Sequence, residues 1–243
     1  GRRRSLAPAQ VIATGFGAVI IAGTLLLMLP ISSSDGTRTP PIDALFTATS
    51  AVCVTGLVVV DTAVYWSPFG KVVILALIQL GGLGIMLFAA LVGLVLARRL
   101  SVRSRVLAST ETKTPGAGSM KRIATGILVT TLVIEVIVAI VLFLRFLTGY
   151  GYDPARAAWH AVFHAVSAFN NAGFALYTDS LMGFVGDPWV CLPICAAIIL
   201  GGLGFPVLRQ LRREFRRPLH WTMNTRIVLS ATIALLVIGT AYV

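Results

Sequence analysis

The sequence predicts an all-α integral membrane protein built from parallel membrane–pore–membrane repeats, with re-entrant pore helices and filter loops. Three observations carry this. First, the 243 residues are 57% hydrophobic with mean hydropathy +0.89 and only 12% charged, where a soluble domain carries about a quarter charged residues. Second, the basic residues are clustered. Of twenty Lys and Arg, Arg2 to Arg4 supply three, Arg98 to Arg122 seven and Arg209 to Arg226 six. Each cluster flanks an apolar run, as cytoplasmic loops do. Third, FTATSAVCVTGL at Phe46 to Leu57 returns as FHAVSAFNNAGF at Phe163 to Phe174, at a constant offset of 117. The pairs Phe46/Phe163, Ala48/Ala165, Ser50/Ser167, Ala51/Ala168 and Gly56/Gly173 are identical, and LGGLG at Leu80 to Gly84 returns at Leu200 to Gly204. A period this long marks a duplicated domain and not a short solenoid.

Residues 1–10 form a cytoplasmic N-terminus, placed there by Arg2 to Arg4. The first repeat covers 11–97. Val11 to Pro30 is uncharged and long enough to cross about 30 Å of hydrocarbon, and too long for a secretory signal. Pro30 to Pro41 is a polar loop with Asp35, Ala44 to Val60 is uncharged, and Val72 to Ala97 is a span containing Gln79 and the glycines 81, 82 and 84. A basic cytoplasmic loop follows at 98–122. The second repeat, 123–208, has a span at Ile123 to Leu144 with one acid, Glu135, an uncharged segment at Ala157 to Thr178, and a span at Trp189 to Leu208. A second basic cytoplasmic loop fills 209–226. The helix at 227–243 opens a third repeat, and the chain ends within it.

Parity settles the two short apolar segments. With basic loops on the cytoplasmic side at both ends of each repeat, two spans already satisfy an even number of crossings, so Ala44 to Val60 and Ala157 to Thr178 enter and leave on one side. Non-helical backbone survives at membrane depth only where it is buried in protein or lines a watery path. The aspartates at 35, 43, 61, 153, 179 and 187 all fall on the outer side, where they would attract cations. Both repeats begin inside, so they are parallel and not inverted.

Asp153-Pro154 reads as a helix start, an N-cap acceptor followed by Pro at the first helical position. Pro40-Pro41 with Asp43 plays the same part in the first repeat. Each helix would run inward for about three turns and end near Ala51 or Ala168, where unpaired carbonyls favour cations. Cys53-Val54-Thr55-Gly56 and Asn170-Asn171-Ala172-Gly173 would then return outward in extended form, with Gly56 and Gly173 letting successive carbonyls face one axis. Carbonyl rings that replace a hydration shell select potassium. The two filter segments differ, which leaves a sodium-permeable or weakly selective cation pathway as the alternative. From another class, a non-conducting membrane scaffold or assembly subunit would bind a partner through the basic loops.

TSAVCVTGL (Thr49 to Leu57), IQLGGLGIM (Ile78 to Met86) and SAFNNAGF (Ser167 to Phe174) closely resemble the Ktr, Trk and HKT superfamily of potassium transporters, and the short N-terminus resembles its KtrB branch. The resemblance covers essentially the whole chain. It implies four such repeats in one polypeptide around a pseudo-fourfold pore, with Gly56 and Gly173 as filter glycines and potassium at the carbonyls of Val54, Thr55, Asn171 and Ala172. It also implies a homodimer in a bacterial plasma membrane, bound to a cytosolic nucleotide-binding regulator of the KtrA type. The filters, intramembrane gating loop and basic pore residue of the other repeats are not in this chain.

The other polar residues read as structure. Glu135 is a membrane acid, which makes proton coupling a question, and is assigned as a buried acid hydrogen-bonded to a neighbouring helix. His160 and His164 would need further ligands to hold a metal and are assigned to aromatic packing behind the filter. Cys191 and Cys195 are small apolar fillers, and three cysteines make no disulfide framework. Ser50 and Ser167, with Gly81, Gly82, Gly84, Gly201, Gly202 and Gly204, are pore-helix and packing positions, the glycines allowing close approach or hinging. The net charge of +11 follows from membrane topology, so nucleic acid is not an expected partner. Lipid is, with Arg98 to Lys121 facing either anionic headgroups or the regulator. GAGSMK at Gly116 to Lys121 lacks phosphate-loop spacing. There is no catalytic triad, so no enzyme and no covalent cofactor is expected; the bound species is potassium, with sodium as the alternative.

Overall fold

Apolar runs in this chain are punctuated by Pro and Gly, and the helices start and stop there. The computed structural model of the protein describes residues 8–102, 117–216 and 221–242. Arg2 to Arg4, loop residues 103–116, Arg217 and Val243 lie outside the described residues. The helices are α1 (Pro8–Leu27), α2 (Pro41–Val52), α3 (Pro68–Val102), α4 (Ala117–Tyr150), α5 (Pro154–Phe169), α6 (Pro188–Leu203), α7 (Phe205–Glu214) and α8 (Met223–Tyr242). Proline opens five of them and stands second in α7, as the residue whose missing N–H is harmless in a first turn. Among the described residues, extended pairing is confined to one isolated bridge, Ser33 with Trp66.

Among the described residues, three helices are long and apolar enough to cross a membrane, Pro68–Ala90 within α3, Lys121–Tyr150 within α4, and α8, and the bent pair α6 and α7 passes when taken together. On α4, Val133, Ile137, Ile140 and Leu144 are all exposed. Their spacing puts them on one helix face, and so wide an apolar stripe is stable against lipid or protein but not against water.

The duplication is visible in the packing. Helices α1, α2 and α3 pack on one another, α4, α5 and α6 do the same, and the two units meet where α3 touches α4 and α5. The short helices bury their alanines. Ala44, Ala48 and Ala51 on α2, and Ala157, Ala161 and Ala165 on α5, are fully buried. With side chains this small the neighbouring helices approach closely.

Two expected boundaries change. The first apolar run leaves the helix at Leu27, and Pro30 opens a 3-10 turn, Pro30–Ser32. More importantly, Trp189 to Leu208 is not one continuous helix. Helix α6 ends at Leu203, Gly204 adopts φ +77, and α7 leaves at 102° to α6. The cause is local: glycine reaches the left-handed region without a Cβ penalty, and Pro206 suits the first turn of the helix that follows.

Asp187 anchors the second unit at the start of α6. Its carboxylate caps α6 through the Trp189 amide at 3.0 Å and accepts from Arg145 Nε at 2.7 Å and the Tyr150 hydroxyl at 2.9 Å. Desolvation pushes this carboxyl up, but the hydrogen bonds from Arg145, Tyr150 and Trp189 outweigh it and hold it below the ordinary 3.8. A depressed carboxyl stabilises the fold above its unfolded value, and that contribution fades as pH falls through the lower folded value. Asp187→Ala is expected to lower the Tm in detergent at neutral pH, with the gap to the native protein narrowing on acidification. An equal Tm at neutral pH would remove this anchor.

Candidate functional site

Both short helices end the same way. Cys53 and Asn170 close the last turn, their N–H groups donating to Thr49 O at 2.8 Å and Val166 O at 3.1 Å. The next residue in each turns left-handed, Val54 at φ 49 and Asn171 at φ 57. Val54 N–H then donates to Ala51 O (3.3 Å) and Thr55 N–H to Ser50 O (3.0 Å), while Asn171 and Ala172 repeat the pattern onto Ala168 O (3.0 Å) and Ser167 O (2.8 Å). This pair of bonds is the Schellman closure of a helix. The expectation that all four residues of each loop run extended is corrected here, because the closure needs a helical Cys53 or Asn170 and a left-handed residue after it. Asn tolerates that conformation, whereas for a β-branched residue it is an outlier costing about 1–2 kcal/mol. Asn171 was thus a readable signal for the closure; Val54 was not.

The closure turns each chain away from its helix, toward Gly56 and Gly173. These glycines have φ +71 and +74 and lie against each other: a Cβ on Gly56 would stand 2.7 Å from Ala172 O and 3.1 Å from Gly173 Cα, and one on Gly173 would stand 3.2 Å from Gly56 Cα. So the two loops, 117 residues apart in sequence, meet at the one position where both carry glycine.

The shared serines brace the loops. Ser50 Oγ accepts from Thr55 Oγ1 at 3.0 Å, and Ser167 Oγ donates to Phe174 O at 2.6 Å. In the second unit His164 adds a further tie. Its Nε2 accepts the Leu176 N–H at 3.3 Å while its Nδ1 lies 2.7 Å from His160 O, an arrangement that leaves neither nitrogen for a metal. The two imidazoles stack at 6.0 Å, with Tyr177 about 5 Å from each (ring centroids). That is the packing role expected for them. Beside the second loop a cavity of about 270 Å³ is lined by Ser167, Asn171, Gly173, Phe174, Ile194 and Ile198.

The glycine clusters receive the ends of the short helices. A Cβ on Gly81 would overlap the Val52 backbone, one on Gly201 the Phe169 carbonyl, and one on Gly82 the Asn170 side chain. Gly84 faces the Phe16 ring, which a Cβ would approach to 3.0 Å. Gly202 has no neighbour within 4 Å, and Gly204 makes the corner after α6. Close packing therefore accounts for four of the six, and a turn for a fifth.

Glu135 is buried on α4, 4% exposed. Gln79 Nε2 donates to one carboxylate oxygen at 3.3 Å and Asn170 Nδ2 to the other at 3.0 Å, the hydrogen-bonded arrangement expected of it. Outside the helices, Asp35 has its carboxylate held down to about 2 by hydrogen bonds from the Ser33 hydroxyl and from the Thr37 amide and hydroxyl, so it stays charged at neutral pH. Cys53, Cys191 and Cys195 are free thiols.

Comparison with known proteins places this architecture. The TrkH family profile, described as "Cation transport protein", matches residues 2–226. The Ktr system potassium uptake protein B of Bacillus subtilis is 42% identical over 228 residues, covering 94% of this chain and 50% of that protein. The potassium/sodium uptake protein NtpJ of Enterococcus hirae is 40% identical over 237 residues, covering 98% of this chain and 52% of that protein. The Ktr system potassium uptake protein B of Vibrio alginolyticus is 39% identical over 232 residues, 95% of this chain and 50% of that protein. The chain thus spans about half the length of these curated relatives, and in the first of them it corresponds to the N-terminal half. These are membrane transporters and not enzymes, and the chain belongs to the TrkH family of cation transport proteins.

Proposed function

We propose that this chain supplies two filter segments of a potassium uptake pathway across a bacterial plasma membrane. The observation that carries the reading is the meeting of Gly56 and Gly173 after two identical helix closures. In this reading α2 and α5 are re-entrant, entering from the outer face. Carbonyls of Val54, Thr55, Asn171 and Ala172 take the place of the ion's hydration shell, and Asp35 and its neighbours raise the cation concentration at the mouth. The N-terminus and both basic loops are cytoplasmic, so 11–97 and 123–208 are the two repeats and 227–243 opens a third. Two further repeats close the pore in the intact polypeptide. That polypeptide works as a homodimer in lipid, gated by a cytosolic nucleotide-binding regulator of the KtrA kind.

A second reading, a pathway that also admits sodium, draws support from the unlike filters, Cys-Val-Thr-Gly against Asn-Asn-Ala-Gly, and from the potassium/sodium name of the Enterococcus relative. One experiment separates these. The intact polypeptide is placed in liposomes, and potassium-driven and sodium-driven flux are recorded beside Gly56→Asp. Potassium flux that vanishes or loses its preference in the variant supports the filter. Comparable potassium and sodium flux in the native protein favours the second reading. Unchanged flux in the variant contradicts both.

A further inference from the structure

Gln79 on α3, Glu135 on α4 and Asn170 at the end of α5 meet where the second loop begins. Asn170 Nδ2 lies 3.0 Å from Glu135 Oε1, 3.2 Å from Gln79 Oε1 and 2.9 Å from Val166 O. Gln79 Nε2 closes the ring onto Glu135 Oε2 at 3.3 Å. Only one amide orientation suits Asn170, because the reverse would set its oxygen against three acceptors. Its Oδ1 faces Gly82 and has no hydrogen-bond partner. Every polar bond of this side chain is therefore aimed at the ring or at its own helix, and none at the loop.

Asn170 is nevertheless the last residue before the left-handed Asn171 that opens that loop. A carboxylate held in a membrane helix is costly, and packing alone would be served by an apolar residue at lower cost. Gln79 adds a second constraint: it sits on α3, the helix whose Gly81 also receives the end of α2 at Val52. The ring thus ties the end of one short helix to the support of the other.

We infer that Glu135 is a positioning residue for the second filter segment: it acts through Asn170, with Gln79 keeping that segment in register with Gly56. The inference rests on the filter reading above. Removing an outer partner of a cation's ligands typically costs about tenfold or more in binding or activity, and here that loss falls on the preference for potassium over sodium.

The test uses the intact polypeptide in liposomes and reads the potassium-to-sodium flux ratio of Glu135→Ala, Glu135→Gln, Asn170→Ala and the double variant Glu135→Ala/Asn170→Ala, with Tm recorded alongside. The expected result is a ratio about tenfold lower for Glu135→Ala, restored to near native by Glu135→Gln, which keeps an acceptor for Asn170. The double variant is expected to be no worse than Asn170→Ala, since both act through one contact. A lower Tm with an unchanged ratio, or losses that multiply in the double variant, would overturn the inference. Where Glu135→Ala does not reach the membrane, Gln79→Leu carries the same readout; a lowered ratio supports the inference and an unchanged one overturns it. Gly56→Asp serves as reference. If it abolishes selective flux while Glu135→Ala leaves the ratio intact, the positioning role alone falls. If it changes nothing, the filter reading falls and the inference with it.

Discussion

Gly56→Ala is expected to reduce potassium flux through the intact protein by at least about tenfold, the equivalent of roughly 1.4 kcal/mol, and to do more damage than Gly173→Ala. Both glycines are left-handed, at φ +71 and +74, so each alanine carries a conformational penalty of about 1–2 kcal/mol. Only at Gly56 is there also a backbone collision. Its Cβ would sit 2.7 Å from Ala172 O, against 3.2 Å from Gly56 Cα in the reverse case. Neither neighbour can rotate away, so the loops must separate. Flux per unit of reconstituted protein checks the order. Equal, native-like flux from both variants would mean that the loops do not need to touch.

Gly81→Ala and Gly201→Ala are expected to be the most destabilising of the glycine-cluster changes. The added methyls would overlap the Val52 backbone and the Phe169 carbonyl, which are the last residues of α2 and α5. Overpacking costs about 1–3 kcal/mol and sometimes more. A backbone obstacle at each site points to the upper end, seen as a lower Tm and less monodisperse protein on extraction. Gly202→Ala is the contrast. Its Cβ meets nothing within 4 Å, and a helical alanine is favoured over glycine by about 0.8–1 kcal/mol, so its Tm should hold or rise. Gly81→Ala with a native Tm would show that the short helix does not rest on α3 as described.

Much of this architecture could be read from residue order. Apolar length and the Pro-opened short segments foretold the helices, and Asp153 does cap α5, accepting the Arg156 amide at 3.0 Å. Asp43 was expected to help start α2 and lies in its first turn, but α2 has no side-chain cap; Pro41 at the first helical position is enough. The repeat alignment paired Gly56 with Gly173, although their physical contact is long-range and no local pattern encodes it. The left-handed Val54 was unreadable because valine is a poor residue for that conformation, and tertiary packing imposes it. The break after α6 was half legible: Gly204-Phe205-Pro206 is a turn signal, hidden inside a run of apolar residues that reads as one span. Glu135 was legible as a paired acid. Its partners Gln79 and Asn170 were not, since they sit 56 and 35 residues away.

The most direct test of the central claim is to locate the ion. The structure of the intact protein would be determined with rubidium in place of potassium, and the anomalous signal recorded. The filter reading predicts a rubidium peak beside the carbonyls of Val54, Thr55, Asn171 and Ala172, next to the Gly56–Gly173 contact. A well-ordered pair of loops with no peak there, or with rubidium bound only elsewhere, would contradict it.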